Sequence, residues 1–256
     1  MRTVIITGAS SGIGQALALH HARSGARLGL IGRDRHRLDA VAAQCRGLGA
    51  TVTVAEIDVR SRAEMKAWIE AFDRESPVDL VFANAGIMDG TRPNAVIEPP
   101  DAGLVVIETN VLGVLNTVQP IVPAMVQRGR GQIAIIASIA SFIPLADAPS
   151  YSASKAAVFN YGLAVRAALA GKGIRVNVIC PGFVTTPMIL RATGDRPGEM
   201  SAERAVNLIS RGLQRNRAVI LFPFWFAWAT RIHGHMPDRI RRWAMSHFRF
   251  TVSDRS

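Results

Sequence analysis

Cysteine is nearly absent: only Cys45 and Cys180 occur, far apart and outside any CxxC or Cys/His spacing. That excludes a disulfide framework, argues against a structural zinc site and fits a reducing compartment. His233, His235 and His247 have no flanking acid or cysteine, so no metal site is expected there. No apolar run reaches the roughly 18 residues of a membrane span, and MRTVIITGAS is too short an apolar stretch for a signal peptide. With no internal repeat, low-complexity tract or Ser/Gly linker, the 256 residues are expected to form a single domain, residues 1–256. Lysine is scarce too, with three residues among 30 basic ones, and there are two tyrosines. What the chain has in quantity is apolar surface: 49% of residues are hydrophobic and 19% charged, enough for a full core. The net charge of +11 is local, since ten arginines and two acids lie between Arg204 and the C-terminus. No zinc-finger spacing or aromatic RNA-binding signature accompanies it, so no nucleic-acid partner is expected.

Short aliphatic runs alternate with stretches of helical spacing along the chain, the pattern of repeated βαβ units. Seven runs read as strands: Thr3–Thr7, Arg27–Ile31, Thr51–Glu56, Leu80–Ala83, Gln132–Ala137, Arg175–Ile179 and Ala218–Phe222. Several are apolar at consecutive positions, as parallel strands covered on both faces are, so an α/β doubly wound parallel sheet is expected. Helical spacing covers Ile13–Arg23, Arg35–Arg46, Ala63–Glu75, Leu104–Met125, Ala153–Ala170 and Ala202–Gln214, with Pro120 and Pro123 expected to bend or end the fourth.

The first strand runs into Thr7-Gly8-Ala9-Ser10-Ser11-Gly12-Ile13-Gly14 and then a helix. Glycines there permit a tight turn and close approach of backbone to a pyrophosphate, and the helix N-terminus offers N–H groups to the anion. The Gly-x3-Gly-x-Gly spacing resembles the short-chain dehydrogenase/reductase family, whose turn reads TGxxxGxG. The resemblance continues over roughly residues 1–190 and implies a Rossmann-type fold of seven strands. Asn84-Ala85-Gly86 matches the family's NAG motif, which braces the sheet beside the adenosine. Asp58-Val59 falls where the family holds the adenine ring. Pro181-Gly182, with Val184 and Thr186 after it, matches the PG-x3-T segment at the nicotinamide carboxamide.

The choice between nicotinamide cofactors is made, in this family, at the end of the second strand. An acid there would accept from the ribose diol and repel a 2′-phosphate, whereas a guanidinium does the reverse. Gly32 stands at the acid position and Arg33 follows, which favours NADP(H). Asp34 lies about 20 residues beyond Gly14, the usual distance of a ribose-binding acid; it reads instead as the N-cap of the second helix.

Tyr151-Ser152-Ala153-Ser154-Lys155 opens the fifth helix, and the i,i+4 spacing puts Tyr151 and Lys155 on one face. With so few tyrosines and lysines, Tyr-x3-Lys arises by chance in about 2% of such chains. A neighbouring ammonium and an oxidised nicotinamide are both expected to favour phenolate and draw the phenol pKa toward the working range. By the resemblance, Tyr151 moves the proton on the substrate oxygen, Ser138 steadies that oxygen with Ser141 as an alternative, and Lys155 binds the nicotinamide ribose. Asn110 supports a water-linked proton path. The implied activity is hydride transfer between NADP(H) and a carbonyl or alcohol, a small-molecule substrate, without metal. A non-catalytic nucleotide-sensing or interaction protein on the same fold is the alternative.

Substrate identity rests with a loop at 188–203, where Met188, Ile189 and Leu190 offer apolar contacts, and with an extension at 220–256 that is apolar and then basic. The extension suits a core or oligomer contact, a wall for a lipophilic substrate, or a peripheral membrane anchor. A cytoplasmic homodimer or homotetramer is expected, with membrane association through the C-terminal segment kept open.

Overall fold

The computed structural model describes residues 1–224. The expectations for the extension beyond Phe224, and for the three C-terminal histidines, lie outside the described residues. In chain order the elements begin with β1 (Thr3–Thr7), α1 (Gly12–Ala22), β2 (Arg27–Gly32), α2 (Arg35–Gly47), β3 (Thr51–Glu56), α3 (Arg62–Glu75) and β4 (Leu80–Ala83). Then come α4 (Pro100–Ile107), a π-helical turn (Glu108–Leu112), α5 (Gly113–Val118), α6 (Val122–Arg128) and β5 (Gly131–Ile136). A 3-10 turn (Ile139–Ser141) precedes α7 (Pro149–Ala168), β6 (Ile174–Pro181), β7 (Val184–Thr185), α8 (Pro187–Leu190), β8 (Met200–Ser201), α9 (Ala202–Gln214) and β9 (Val219–Phe222).

Seven strands form one parallel sheet in the order β3-β2-β1-β4-β5-β6-β9. This is a Rossmann-type α/β fold. Successive residues of a strand point to opposite faces, and β1 shows the consequence: Val4 and Ile6 enter one core, Ile5 the other. The first core is covered by Leu17 and Ala18 of α1, Leu38 and Val41 of α2, and Ile209 and Leu213 of α9. The second is covered by Met65, Ile69 and Phe72 of α3, Val114 of α5, Met125 of α6 and Val158 of α7. Burial on both faces is why the strand sequences are apolar without alternation. The order of strands reverses between β1 and β4, and a ligand crevice is expected beyond the carboxyl ends there.

The sheet strands fall where the apolar runs predict them, but the fourth helical stretch does not form one helix. It starts earlier, at Pro100, where a missing N–H costs nothing. It then loosens into the π turn and breaks at Gln119–Ile121 before α6. By length and mean hydropathy Pro100–Arg128 would pass for a membrane-spanning stretch, although polar residues interrupt it and no unbroken apolar run of about 18 occurs in it; half of its apolar window is buried inside the fold. The two-residue pair β7–β8, parallel through Val184 with Met200 and Thr185 with Ser201, has no signature in the sequence, because two residues carry no periodicity.

Candidate active site

The turn between β1 and α1 is shaped by backbone proximity. Gly8 has φ +65°, and a Cβ there would sit 2.8 Å from Ala85 Cα; a Cβ on Gly14 would sit 2.1 Å from the Gly8 carbonyl oxygen. No side chain fits at either position. A Cβ on Gly12 would meet Thr186 Cγ2 at 3.0 Å, so the PG-x3-T segment does come against the glycine turn. Ser11, the N-cap of α1, makes no side-chain cap bond, which leaves the first-turn N–H groups without a side-chain acceptor. Beside Ser10, Ser11 and a partly buried Ile13, those groups and the space kept by glycine fit a pyrophosphate.

Asn84 holds this turn to β4. Its Nδ2 donates to the carbonyls of Thr7 (2.8 Å) and Gly8 (3.3 Å), while the backbone N–H groups of Asn84 and Ala85 donate to Thr7 Oγ1. At the end of β2, Asp34 caps α2 by accepting from Arg37 N–H (2.9 Å), and its carboxylate also pairs with Arg37 Nε at 2.5 Å. The cap expectation is met, and these bonds hold the Asp34 carboxyl below its ordinary range. Arg35 is occupied by Asp39 at 2.8 Å. Arg33, its side chain about half exposed at 52%, reaches Asp58 at 3.8 Å. Asp58 is held mainly by Arg60, through Nη2 at 2.8 Å. Burial pushes the Asp58 carboxyl up, but hydrogen bonds from Arg60 and the charges of both arginines outweigh it and hold the group below its ordinary value. Val59 turns into the core, where a Cβ on Gly113 would strike it, and its carbonyl accepts from Asn116 Nδ2 at 2.9 Å. Its side chain therefore serves packing.

Ser138, Tyr151 and Lys155 come together from β5 and α7. Ser138 follows β5, its Oγ accepting from Ala140 N–H at 3.1 Å and lying near enough to the Tyr151 phenol to favour its ionised form. Lys155 is buried; its Nζ donates to the Ile136 carbonyl at 3.0 Å and lies 5.8 Å from the centre of the Tyr151 ring. Burial pulls the ammonium down to about 8, opposed by the nearby Cys180 thiol. Cys180 is itself pushed up to about 12 by burial. Tyr151 corrects a sequence expectation. Desolvation raises its phenol above the ordinary value, with Ser138 working the other way, so the protein's own groups do not draw it toward neutrality. Ser141, the alternative hydroxyl, donates to the Lys155 carbonyl at 2.8 Å and so secures the helix.

Asn110 lies in the π turn, fully buried. Its Oδ1 accepts from Ile87 N–H (2.8 Å), and its Nδ2 donates to the Ile87 carbonyl and to Ser154 Oγ, both at 2.9 Å. Ser154 in turn donates to the Tyr151 carbonyl. The side chain thus ties the segment after β4 to α7. Gly86 completes the join, since a Cβ there would lie 3.2 Å from Asn110 Oδ1 and 3.4 Å from Lys155 Nζ.

Beyond Tyr151 an apolar patch forms from Met88 and Ala192, with Met188, Ile189 and the Tyr151 ring against it. Of the three apolar residues expected to line the substrate, Leu190 is 62% exposed and outside this patch. Met88 escapes sequence reading because it sits in a loop with no periodicity; its one signal is a position two residues after Asn84-Ala85-Gly86. Pro181 and Gly182 end β6, with Gly182 N–H donating to the Phe222 carbonyl at 2.7 Å. Val184 is buried in β7, and Thr186 caps α8.

The family model for short chain dehydrogenases matches residues 2–196. Over 238 residues, 93% of each protein, the chain is 37% identical to an uncharacterized oxidoreductase of Myxococcus xanthus (strain DK1622). A short-chain dehydrogenase from Sphingobium yanoikuyae, solved in complex with NADPH, superposes with TM-score 0.79 at 30% identity over 97% of both chains. An NAD+-bound xylitol dehydrogenase superposes with TM-score 0.67 at 27% identity over 72% of this chain and 70% of that one. A glycine turn closed by Asn84, Tyr151 and Ser138 beside a buried lysine, and a family match across most of the described fold have one common account: this chain is an oxidoreductase that belongs to the short-chain dehydrogenase family.

Proposed function

We propose that the protein is an NADP(H)-dependent reductase of lipophilic ketones or aldehydes, working through Tyr151 as proton donor. The observation that carries this reading is the convergence of Ser138 and Tyr151 on a buried Lys155, whose Nζ lies 5.8 Å from the centre of the Tyr151 ring. When bound, the dinucleotide supplies or accepts the hydride. Gly8, Gly12 and Gly14 would admit its pyrophosphate, Asp58 its adenine edge, and Lys155 its nicotinamide ribose. A phenol raised above its usual pKa stays protonated at neutral pH, the state required to protonate a developing alkoxide. Ser138 Oγ, beside that phenol, would steady the same oxygen.

The phosphate preference rests on which charges remain after local pairing. Asp34 is neutralised by Arg37, and Arg35 by Asp39, so neither opposes nor provides much. Arg33 has a single contact at 3.8 Å and can turn to a 2′-phosphate, a charge-assisted bond that a ribose hydroxyl does not match. Lipophilic substrates follow from the patch of Met88, Met188, Ile189 and Ala192 against the Tyr151 ring. The test is oxidation of NADPH and NADH across ketones, aldehydes and acyl carbonyls of rising chain length. Turnover with NADPH that improves with apolar chain length is expected. NADH preferred over NADPH would overturn the cofactor assignment, and NADPH binding with no turnover on any carbonyl would favour a sensing role.

A further inference from the structure

Helix α7 carries both Tyr151 and Lys155, yet its N-terminus has no cap of its own. The N-cap is Ala148, which has no side-chain acceptor, and Pro149 at the first position has no N–H. The first donor of the helix is therefore Ser150 N–H, one residue before Tyr151. Its acceptor comes from 52 residues away: Glu98 Oε1 accepts from Ser150 N–H at 3.0 Å and also from Ser150 Oγ. Glu98 is buried at 9% exposure, and its Oε2 has no hydrogen-bond partner among the described residues. Helix α4 leaves room for this join by carrying Gly103, where a Cβ would fall 2.5 Å from Ser150 Oγ and 3.2 Å from Glu98 Oε1. The same segment is fastened to the helix entrance once more, by Thr91 N–H donating to the Asp147 carbonyl at 2.7 Å. It also carries Met88, which belongs to the apolar patch at Tyr151.

We propose that Glu98 is a positioning residue for the reaction, an external carboxylate cap that fixes the first turn of α7 and with it the Tyr151 hydroxyl relative to Ser138. The proposal rests on Tyr151 being the proton donor. A buried carboxylate with one oxygen unpartnered is costly unless its bonds are needed, and a negative group at a helix N-terminus is favourable. Both bonds converge on the residue adjoining the reacting one. Small displacements of a reacting group cost rate out of proportion to stability.

The experiment compares Glu98→Ala, Glu98→Gln and Ser150→Ala with the parent enzyme in kcat, NADPH Kd and amide hydrogen exchange at residues 150–154. Glu98→Gln keeps an acceptor oxygen in place and is the variant most certain to fold. Glu98→Ala is expected to lower kcat at least tenfold and to speed exchange in the first turn of α7 at least tenfold, with NADPH Kd within twofold. Glu98→Gln should retain kcat within threefold, and Ser150→Ala, which keeps the backbone bond, should fall between. Glu98→Ala with parental kcat and exchange would overturn the proposal. So would Glu98→Gln as impaired as Glu98→Ala, or a loss of NADPH affinity equal to the loss of kcat. If the parent enzyme turns over no carbonyl, the proton-donor reading fails while the exchange data still decide whether Glu98 holds the helix.

Discussion

The two ends of the crevice are built on different principles. The dinucleotide end takes its shape from near neighbours, a glycine turn of eight residues, a cap at Asp34 within its own helix and a carboxylate at Asp58 held by Arg60 two residues on, and is tied across the sheet by Asn84. The reacting end is assembled from distant pieces. Ile87 is held by Asn110 and Ser150 by Glu98, while Ser138 meets the Tyr151 phenol from the strand before its helix. A local device is legible as a motif and fails as a unit. At the reacting end Tyr-x3-Lys is a motif, but the distant supports that hold it leave none, and they can be weakened singly.

Gly14→Ala should break the local end most completely. Its Cβ would need to occupy a point 2.1 Å from the Gly8 carbonyl oxygen, and backbone cannot yield there as a side-chain tip would. Loss of NADPH affinity by roughly 100-fold or more, with a lowered Tm, is expected from calorimetry. Gly47→Ala is the matching control: nothing lies within 4 Å of its Cβ, so binding should be unchanged.

Arg33→Ala should be narrower. Removing one charge-assisted contact of about 1.5–3 kcal/mol predicts roughly 10- to 100-fold weaker NADPH binding with NADH hardly affected. Equal losses for the two cofactors would make Arg33 structural and remove the reason for placing phosphate selectivity at that end.

Lys155 joins the two ends, and its effect is read through pH. Burial lowers its ammonium to about 8, so the free enzyme is protonated below that value and loses the charge above it. An anionic cofactor favours the charged form, and NADPH affinity should therefore be flat below about pH 8 and fall by roughly tenfold per unit above it. Lys155→Arg should flatten that slope whatever it does to turnover. An affinity that rises above pH 8 would show that the neutral amine is the binding form.

The contrast also explains what sequence could and could not reveal. The seven sheet strands were legible because burial on both faces makes them continuous apolar runs, and the cap at Asp34 because its partner lies three residues away. The π turn was not, since Val105, Val106, Val111 and Leu112 carry the apolar pattern straight through it and a shift of hydrogen-bond register has no compositional sign. Resemblance located Asn110, but its bonds to Ile87 and Ser154 became visible only with the chain folded. Glu98 read as one acid in a Pro-rich loop, because its partner is 52 positions away. The direction of the Tyr151 shift depended on how much of the phenol the fold desolvates, and burial of a single side chain at a crevice cannot be read from spacing.

The central claim is that the reacting end does proton chemistry while the dinucleotide end binds. Tyr151→Phe tests it most directly, because the ring keeps its packing against Met88 and Ala192 while the hydroxyl beside Ser138 is removed. With kcat and NADPH Kd measured on the same preparation, the account predicts a fall in kcat of at least about 100-fold, about 2.7 kcal/mol, and a Kd within twofold of the parent. Retention of more than about a tenth of kcat, or a loss confined to NADPH binding, would contradict it.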